Sequence, residues 1–144
     1  MPKIRHLAIC VFRHQGRILI APGYDDVKQQ RFFRPLGGGV KFGELAVDAL
    51  RREIREELGL EFESPVQLGV LENRFEYRGR PGHEIVFVFD AAFVDASVYA
   101  RPEVPIAEPG WDGPAEWLDL RKPLSAPLYP DGLEALLRQY NPRH

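Results

Sequence analysis

Residues 37–60, GGGVKFGELAVDALRREIREELGL, join a run of glycines to a stretch of strong helix formers, and no other segment restricts the chain as much. Gly37, Gly38 and Gly39 open backbone conformations closed to other residues and let another group approach the main chain closely. The spacing predicts a glycine-rich turn there. Residues 44–58 contain no Gly or Pro and are rich in Ala, Leu, Glu and Arg, which favours a helix of about four turns. Gly59 stands where a left-handed C-cap ends such a helix.

At the angular spacing of a helix, Val47, Leu50, Ile54 and Leu58 fall in one narrow arc, the expected buried stripe. Arg51 and Arg55 flank one side. Along the other lie Glu53, Glu56 and Glu57, three and four residues apart, so their carboxylates share a face. Ala46 and Ala49 project the same way and leave room for the glycine segment or a ligand. The plain reading is a solvated acidic face with Arg52 and Arg55 as intrahelical partners. The sharper one is an all-oxygen site for a hard cation such as Mg²⁺ or Mn²⁺, which is held by a few carboxylates together with substrate phosphates.

The spacing decides between them. Gly38, five residues, Glu44, seven residues and then Arg52-Glu53-Ile54-Arg55-Glu56-Glu57-Leu58-Gly59-Leu60 resembles the Nudix box at every defined position over 23 residues. Chance agreement in one short chain, at residue frequencies of roughly 5–7%, is on the order of 1 in 10⁶ or rarer. The resemblance implies an α/β fold, an α/β/α sandwich around a mixed sheet, and a hydrolase of phosphoric anhydrides. Its substrates are nucleoside diphosphates linked to another moiety, such as nucleoside triphosphates, nucleotide sugars, ADP-ribose or dinucleoside polyphosphates. It implies Mg²⁺ as cofactor, with Mn²⁺ as a substitute. By the same resemblance Glu53, Glu56 and Glu57 are metal ligands, joined by the carbonyl of Gly37 or Gly38. Glu53, Glu57, Arg52 and Glu44 make up the catalytic set. Arg52 orients a carboxylate or serves as a helix salt bridge, and Glu44 anchors the loop or supports metal hydration. The proton acceptor is Glu53 on the helix or a glutamate of a later loop, Glu103 or Glu108. A silent nucleotide sensor of the same fold is the alternative, and the four intact box glutamates argue against it.

The rest of the chain suits that reading. Its 144 residues, 44% hydrophobic and 28% charged, fit one small domain spanning residues 1–144. A net charge of −2 excludes a general polyanion-binding surface and so long nucleic acid as partner. The single Cys10 reads as a buried small hydrophobe. No apolar run reaches membrane-spanning length and the start lacks a signal-peptide pattern, so the expectation is a cytoplasmic protein with no membrane partner. A homodimer is compatible with the sequence.

In chain order, residues 4–12 and 17–21 read as strands joined at Gln15-Gly16 into a hairpin, and residues 22–30 as a polar surface loop. A short strand at 31–36 enters the glycines. Past the helix, residues 66–77 and 83–94 read as strands around a turn at 78–82, with Ile85, Phe87 and Phe89 on one side and Val86 and Val88 on the other. Residues 95–114 carry four prolines and read as one long loop. Residues 115–118 close the sheet. A last helix carries Leu133, Leu136, Leu137 and Tyr140 at helical spacing.

For substrate, Arg31, Arg34, Lys41 and Arg74 are the cations available to phosphates. Arg34, three residues before the glycines, and Arg74 are the two singled out. Phe32, Phe75, Tyr77 and Trp111 are available to stack on a base, although each aromatic reads first as core. His83 and Glu84 read as hairpin-end residues.

Overall fold

The computed structural model describes residues 2–140. Its elements in chain order are β1 (Arg5–Cys10), β2 (Arg17–Asp25), β3 (Gln30–Gly39), α1 (Ala46–Leu58), β4 (Phe62–Tyr77), β5 (Arg80–Phe93), a 3₁₀ turn (Ala96–Ala100), β6 (Glu103–Val104), β7 (Ala115–Asp119) and α2 (Leu133–Gln139). The seven strands form one sheet in the order β4-β5-β1-β3-β2-β7-β6. Only β1 and β5 run parallel. Among the described residues no helix is long and apolar enough to cross a membrane.

Strand alternation sorts the apolar residues into two cores. Ala8, Cys10, Leu19, Ala21, Phe89 and Phe93 face the side on which α1 places Leu50 and Ile54. Phe12 stacks on Phe93 there, ring centroids 3.9 Å apart. Ile9, Val11, Ile18, Ile20, Val86 and Val88 face the other side, covered by Leu133 and Leu137 of α2. This is the α/β/α sandwich expected, with β5 alternating as its sequence predicts and Cys10 fully buried.

Pairing departs from the local reading in four places. β1 and β2 do not form a hairpin. The chain turns sharply at Phe12 and Gln15, where φ is 48° and 53°, and β3 inserts between the two strands. Residues 30–35 of β3 pair with β2 and residues 36–39 with β1, so β3 passes from one neighbour to the other between Pro35 and Leu36. Residues 22–30 are not an open loop, because β2 runs on to Asp25 and pairs through Pro22 and Gly23 with Phe33 and Phe32. Pro22 is tolerated because β7 leaves β2 after Ile20 and the segment that follows on that side donates its Asp112 N–H to the Pro22 carbonyl at 2.8 Å without asking for a Pro22 N–H in return. Residues 95–114 are divided by the 3₁₀ turn and β6, which leaves a loop only beyond Val104.

The glycines are the fourth departure: Gly37–Gly39 lie within β3 and pair with Ile9, Ala8 and Leu7. Their smallness serves close approach rather than a turn. A Cβ at Gly37, where φ is 147°, would fall 2.0 Å from the Ala8 carbonyl oxygen. Gly37→Ala should therefore pry β3 from β1 and cost about 1–3 kcal/mol by overpacking and strain. A thermal melt reads this directly, and a wild-type melting temperature in the variant would show that the backbones have room to part.

Candidate active site

α1 ends as its sequence predicts, on Gly59 at φ 67° with its N–H on the Arg55 carbonyl. Its buried side is turned from the expected arc. Ala49, Leu50, Ile54 and Glu57 are buried, whereas Val47 and Leu58 are only half-buried. The bare glycines of β3 allow this rotation, since a Cβ at Gly38 would lie 2.4 Å from the Glu53 carboxyl carbon. Glu53 thus rests on Gly38, and Glu57 points into the gap between helix and sheet.

Glu57 is 1% exposed. One carboxylate oxygen accepts the Gly37 N–H at 3.2 Å. The other, Oε2, is buried with no hydrogen-bond partner, the single such side-chain atom among the described residues. Burying a carboxylate with half its acceptors idle is unfavourable by several kcal/mol in the absence of a compensating charge.

Two further carboxylates face that oxygen. Glu53, Glu57 and Glu108 each offer an oxygen within 4.8 Å of the others. Glu108 comes from the loop after β6, and a backbone bond explains its position. The Ala107 N–H donates to the Glu57 carbonyl at 2.8 Å, capping one of the carbonyls a helix leaves free in its last turn. Of the two loop glutamates the sequence offered, the structure brings Glu108 to the cluster. Glu103 is exposed on β6 opposite Glu116. Glu56 is also exposed, with Arg52 at 3.4 Å, and stands on the open side of the helix outside the trio.

Arg52 organises the rim. Its Nε and Nη2 donate to both oxygens of Glu44 at 2.9 and 3.0 Å, Nη1 to Glu53 at 2.9 Å, and Nη2 also to the Gly39 carbonyl at 2.9 Å. One guanidinium thereby locks the end of β3, the turn before α1 and one carboxylate of the cluster. The Arg52 bonds, helped by the Lys41 N–H, hold the Glu44 carboxyl down at about 2, and the Arg52 guanidinium is raised in turn.

A cleft of about 320 Å³ runs from Glu108 along the strands. Phe32, Phe75, Tyr77 and Trp111 all line it; the first three are cleft wall rather than core, and Trp111 also packs against the core on the α1 side. Two rings lie flat because their cross-strand neighbours are glycines. A Cβ at Gly23 or Gly82 would fall 2.3 Å from the ring of Phe32 or Phe75. Arg34 also lines the cleft, but its Nη2 donates to the buried Glu84 at 2.8 Å. Its charge has a partner within the protein instead of standing open to phosphate. Arg74 is exposed between Asn73 and Phe75, which line the cleft, so strand alternation turns it to the opposite face. Glu84 was not singled out from sequence as a cleft residue: its partner is 50 residues away, and only the pairing of β1, β3 and β5 brings them together.

A family model described as the NUDIX domain matches residues 2–139. The chain belongs to the Nudix family. An RNA pyrophosphohydrolase from Bartonella clarridgeiae is 26% identical over 143 aligned positions, covering 85% of this chain and 79% of that protein. Among solved structures, a MutT NUDIX hydrolase from Burkholderia pseudomallei is 25% identical with a TM-score of 0.69, covering 96% of this chain and 99% of that one. The ORF135 protein of E. coli, 22% identical with a TM-score of 0.59 over 99% and 96% of the two chains, shares the fold. The Nudix box helix of this chain is therefore α1. The unpaired, buried Glu57 oxygen and its carboxylate neighbours fit the hard divalent cation that the family implies.

Burial first, then the negative charges of Glu108 and Glu53, push the Glu57 carboxyl from 4.5 to about 9, against a smaller lowering by the Gly37 N–H. A folded value raised above the unfolded one means that the folded protein holds this proton more tightly. The stability contributed is complete below pH 4.5 and is lost as pH rises through about 9. With divalent cations chelated, the melting temperature should fall from pH 5 to pH 9 more steeply than in Glu57→Gln, which cannot titrate there. Parallel melting curves for the two proteins would contradict this account of the site.

Proposed function

We propose that the protein is a divalent-metal-dependent hydrolase that cleaves a phosphoric anhydride in a nucleoside diphosphate linked to another group. The observation that carries this reading is the buried Glu57 oxygen without a partner, faced by Glu53 and Glu108. These three carboxylates would hold Mg²⁺ or Mn²⁺, with Glu56 at the open side and the Gly37 or Gly38 carbonyl as further oxygen donors. The chemistry such an ion supplies is neutralisation of anhydride charge and a lowered pKa for the attacking water.

The chain's own residues divide the remaining work. Arg52 occupies one oxygen of Glu53 and keeps that side chain in place over Gly38. Glu44 fixes Arg52 in turn through two bonds. Glu108 is exposed and has no ion pair among the described residues, so it favours the role of proton acceptor over the clamped Glu53. The aromatic walls of the adjoining cleft offer ring faces to a nucleobase and exclude water beside the reacting phosphates. A silent sensor would need none of the Glu108 placement.

A panel of nucleoside triphosphates, nucleotide sugars, dinucleoside polyphosphates and 5′-triphosphorylated RNA, assayed for released phosphate or pyrophosphate, tests the reading. The RNA is included because of the Bartonella relative. Hydrolysis should require Mg²⁺ or Mn²⁺ and stop in excess EDTA. Glu57→Gln and Glu108→Gln should each lower kcat by about 10²-fold or more, within the range typical for general-base and charge-stabilising groups. Full turnover in EDTA, or wild-type kcat in both variants, would remove the carboxylate trio from the mechanism.

A further inference from the structure

Within the carboxylate trio, Glu53 is gripped by Arg52 and Glu57 is enclosed by the fold. Glu108 is exposed, and no cation among the described residues pairs with it. Its place beside the other two is therefore set by the chain on either side of it. Upstream, Ile106 packs on the core of the α1 side and the Ala107 N–H bonds the Glu57 carbonyl at 2.8 Å. Downstream, the next backbone bond is that of the Asp112 N–H to the Pro22 carbonyl, also at 2.8 Å. Between these ties the backbone of residues 108–111 makes no hydrogen bond to other main-chain groups among the described residues. Pro109 has no N–H to give. Gly110 stands at φ 103° with open space where a Cβ would be, so it is a free joint next to the glutamate. One side chain spans this gap. Trp111 packs against the same core as Ile106 and lines the cleft together with Glu108.

We propose that Trp111 is the positioning residue for Glu108: its ring, held between core and cleft, fixes the downstream end of the arch 108–111 and so keeps the carboxylate at the trio. The inference rests on the reading of the trio as the metal and proton-accepting site. Carboxylates whose oxygens lie within 4.8 Å of one another repel. An exposed glutamate beside a free joint relieves that repulsion by swinging into water unless something opposes the swing. Ala107 alone does not, because a single tie leaves every torsion beyond it free to turn. Burial of a large aromatic ring three residues further on supplies the second tie, and an indole brings the most apolar area of any side chain to that task. Trp111 thus acts through Glu108, in addition to any ring face it offers a nucleobase. The two roles separate experimentally. Stacking on a base is felt in KM, whereas placement of Glu108 is felt in metal affinity and in kcat.

The test is a double-mutant cycle of Trp111→Ala and Glu108→Gln, read in the Mn²⁺ dissociation constant of the substrate-free protein and in kcat with Mn²⁺. Trp111→Ala should weaken Mn²⁺ binding by about tenfold, the effect typical of losing a group that orients a ligand. It should lower kcat by about tenfold or more, since a small misplacement of a reacting group is costly. In each quantity that Glu108→Gln changes, the double variant should be no worse than Glu108→Gln alone, because nothing is left to position. Trp111→Phe, which keeps a ring between core and cleft, should recover most of the loss. A ring that served only the fold would give losses that multiply in the double variant. One that served only a nucleobase would raise KM and leave Mn²⁺ affinity and kcat intact. Either result would overturn the proposal, as would a Glu108→Gln protein unchanged in both quantities. Should Trp111→Ala fail to fold, Trp111→Leu takes its place in the same cycle and decides. Coupled Mn²⁺ losses with no hydrolysis of any nucleotide would uphold the positioning role and sink the proposed hydrolase. Hydrolysis with multiplying losses would do the reverse.

Discussion

Glu57 sits where a helix meeting a sheet would ordinarily place an aliphatic side chain, and much of the surrounding architecture follows from accommodating it. A buried carboxylate demands donors or a cation. The Gly37 N–H supplies one hydrogen bond and the fold leaves the second oxygen bare. Glu53 and Glu108 then add negative charge instead of relieving it. Such an arrangement is unfavourable for folding alone and becomes sensible around a divalent ion. The site is thus a piece of local frustration, maintained because neighbouring contacts over-determine it.

Three of those contacts can be named. The glycines at 37 and 38 let α1 settle against β3 closely enough for Glu53 to rest on bare backbone. Arg52 bonds Glu44, Glu53 and the Gly39 carbonyl at once, so the strand end and the helix start cannot shift independently. The Ala107 N–H, on the Glu57 carbonyl, brings the loop after β6 to the helix end and Glu108 with it. The last of these uses a carbonyl that the helix terminus leaves free.

How much of this was legible in the sequence follows the range of the interactions. The box helix and its C-cap are set by spacing within one turn or two and stand in the structure as read, while its buried side is turned to take in Glu57. The alternation of β5 and the Leu133–Leu137 stripe of α2 are equally local, but α2 ends at Gln139 and leaves Tyr140, expected on that stripe, exposed as its C-cap. Strand partnership is not local, so residues 4–12 and 17–21 suggested a hairpin that β3 in fact interrupts. The glycines suggested a turn because their backbone freedom is visible in sequence, while the side chain each must make room for is not. Helical spacing groups Glu56 with Glu53 and Glu57 and leaves Glu103 and Glu108 as equal loop candidates. Only the folded loop after β6 distinguishes Glu108, by bringing it to Glu53 and Glu57. The same limit made Phe32, Phe75 and Tyr77 look like core, since only the cross-strand glycines and the long β4–β5 hairpin turn them into a cleft. Arg34 reads in sequence as a cation for phosphates and Glu84 as a hairpin-end residue, because the pairing of β1, β3 and β5 that joins the two is not local.

A divalent cation should relieve the charge around Glu57, and the most direct measurement is the thermal melt of the whole chain at fixed neutral pH with and without Mn²⁺. An ion that binds only the folded protein at 100 times its dissociation constant stabilises it by about 2.7 kcal/mol, a shift of several degrees for a domain of this size. Wild type should show that shift and Glu57→Gln should lose most of it, while melting at or above the wild type in EDTA. Equal Mn²⁺ shifts in the two proteins would mean that Glu57 does not hold the ion, and a Glu57→Gln variant that melts well below the wild type without metal would mean that Glu57 holds the fold.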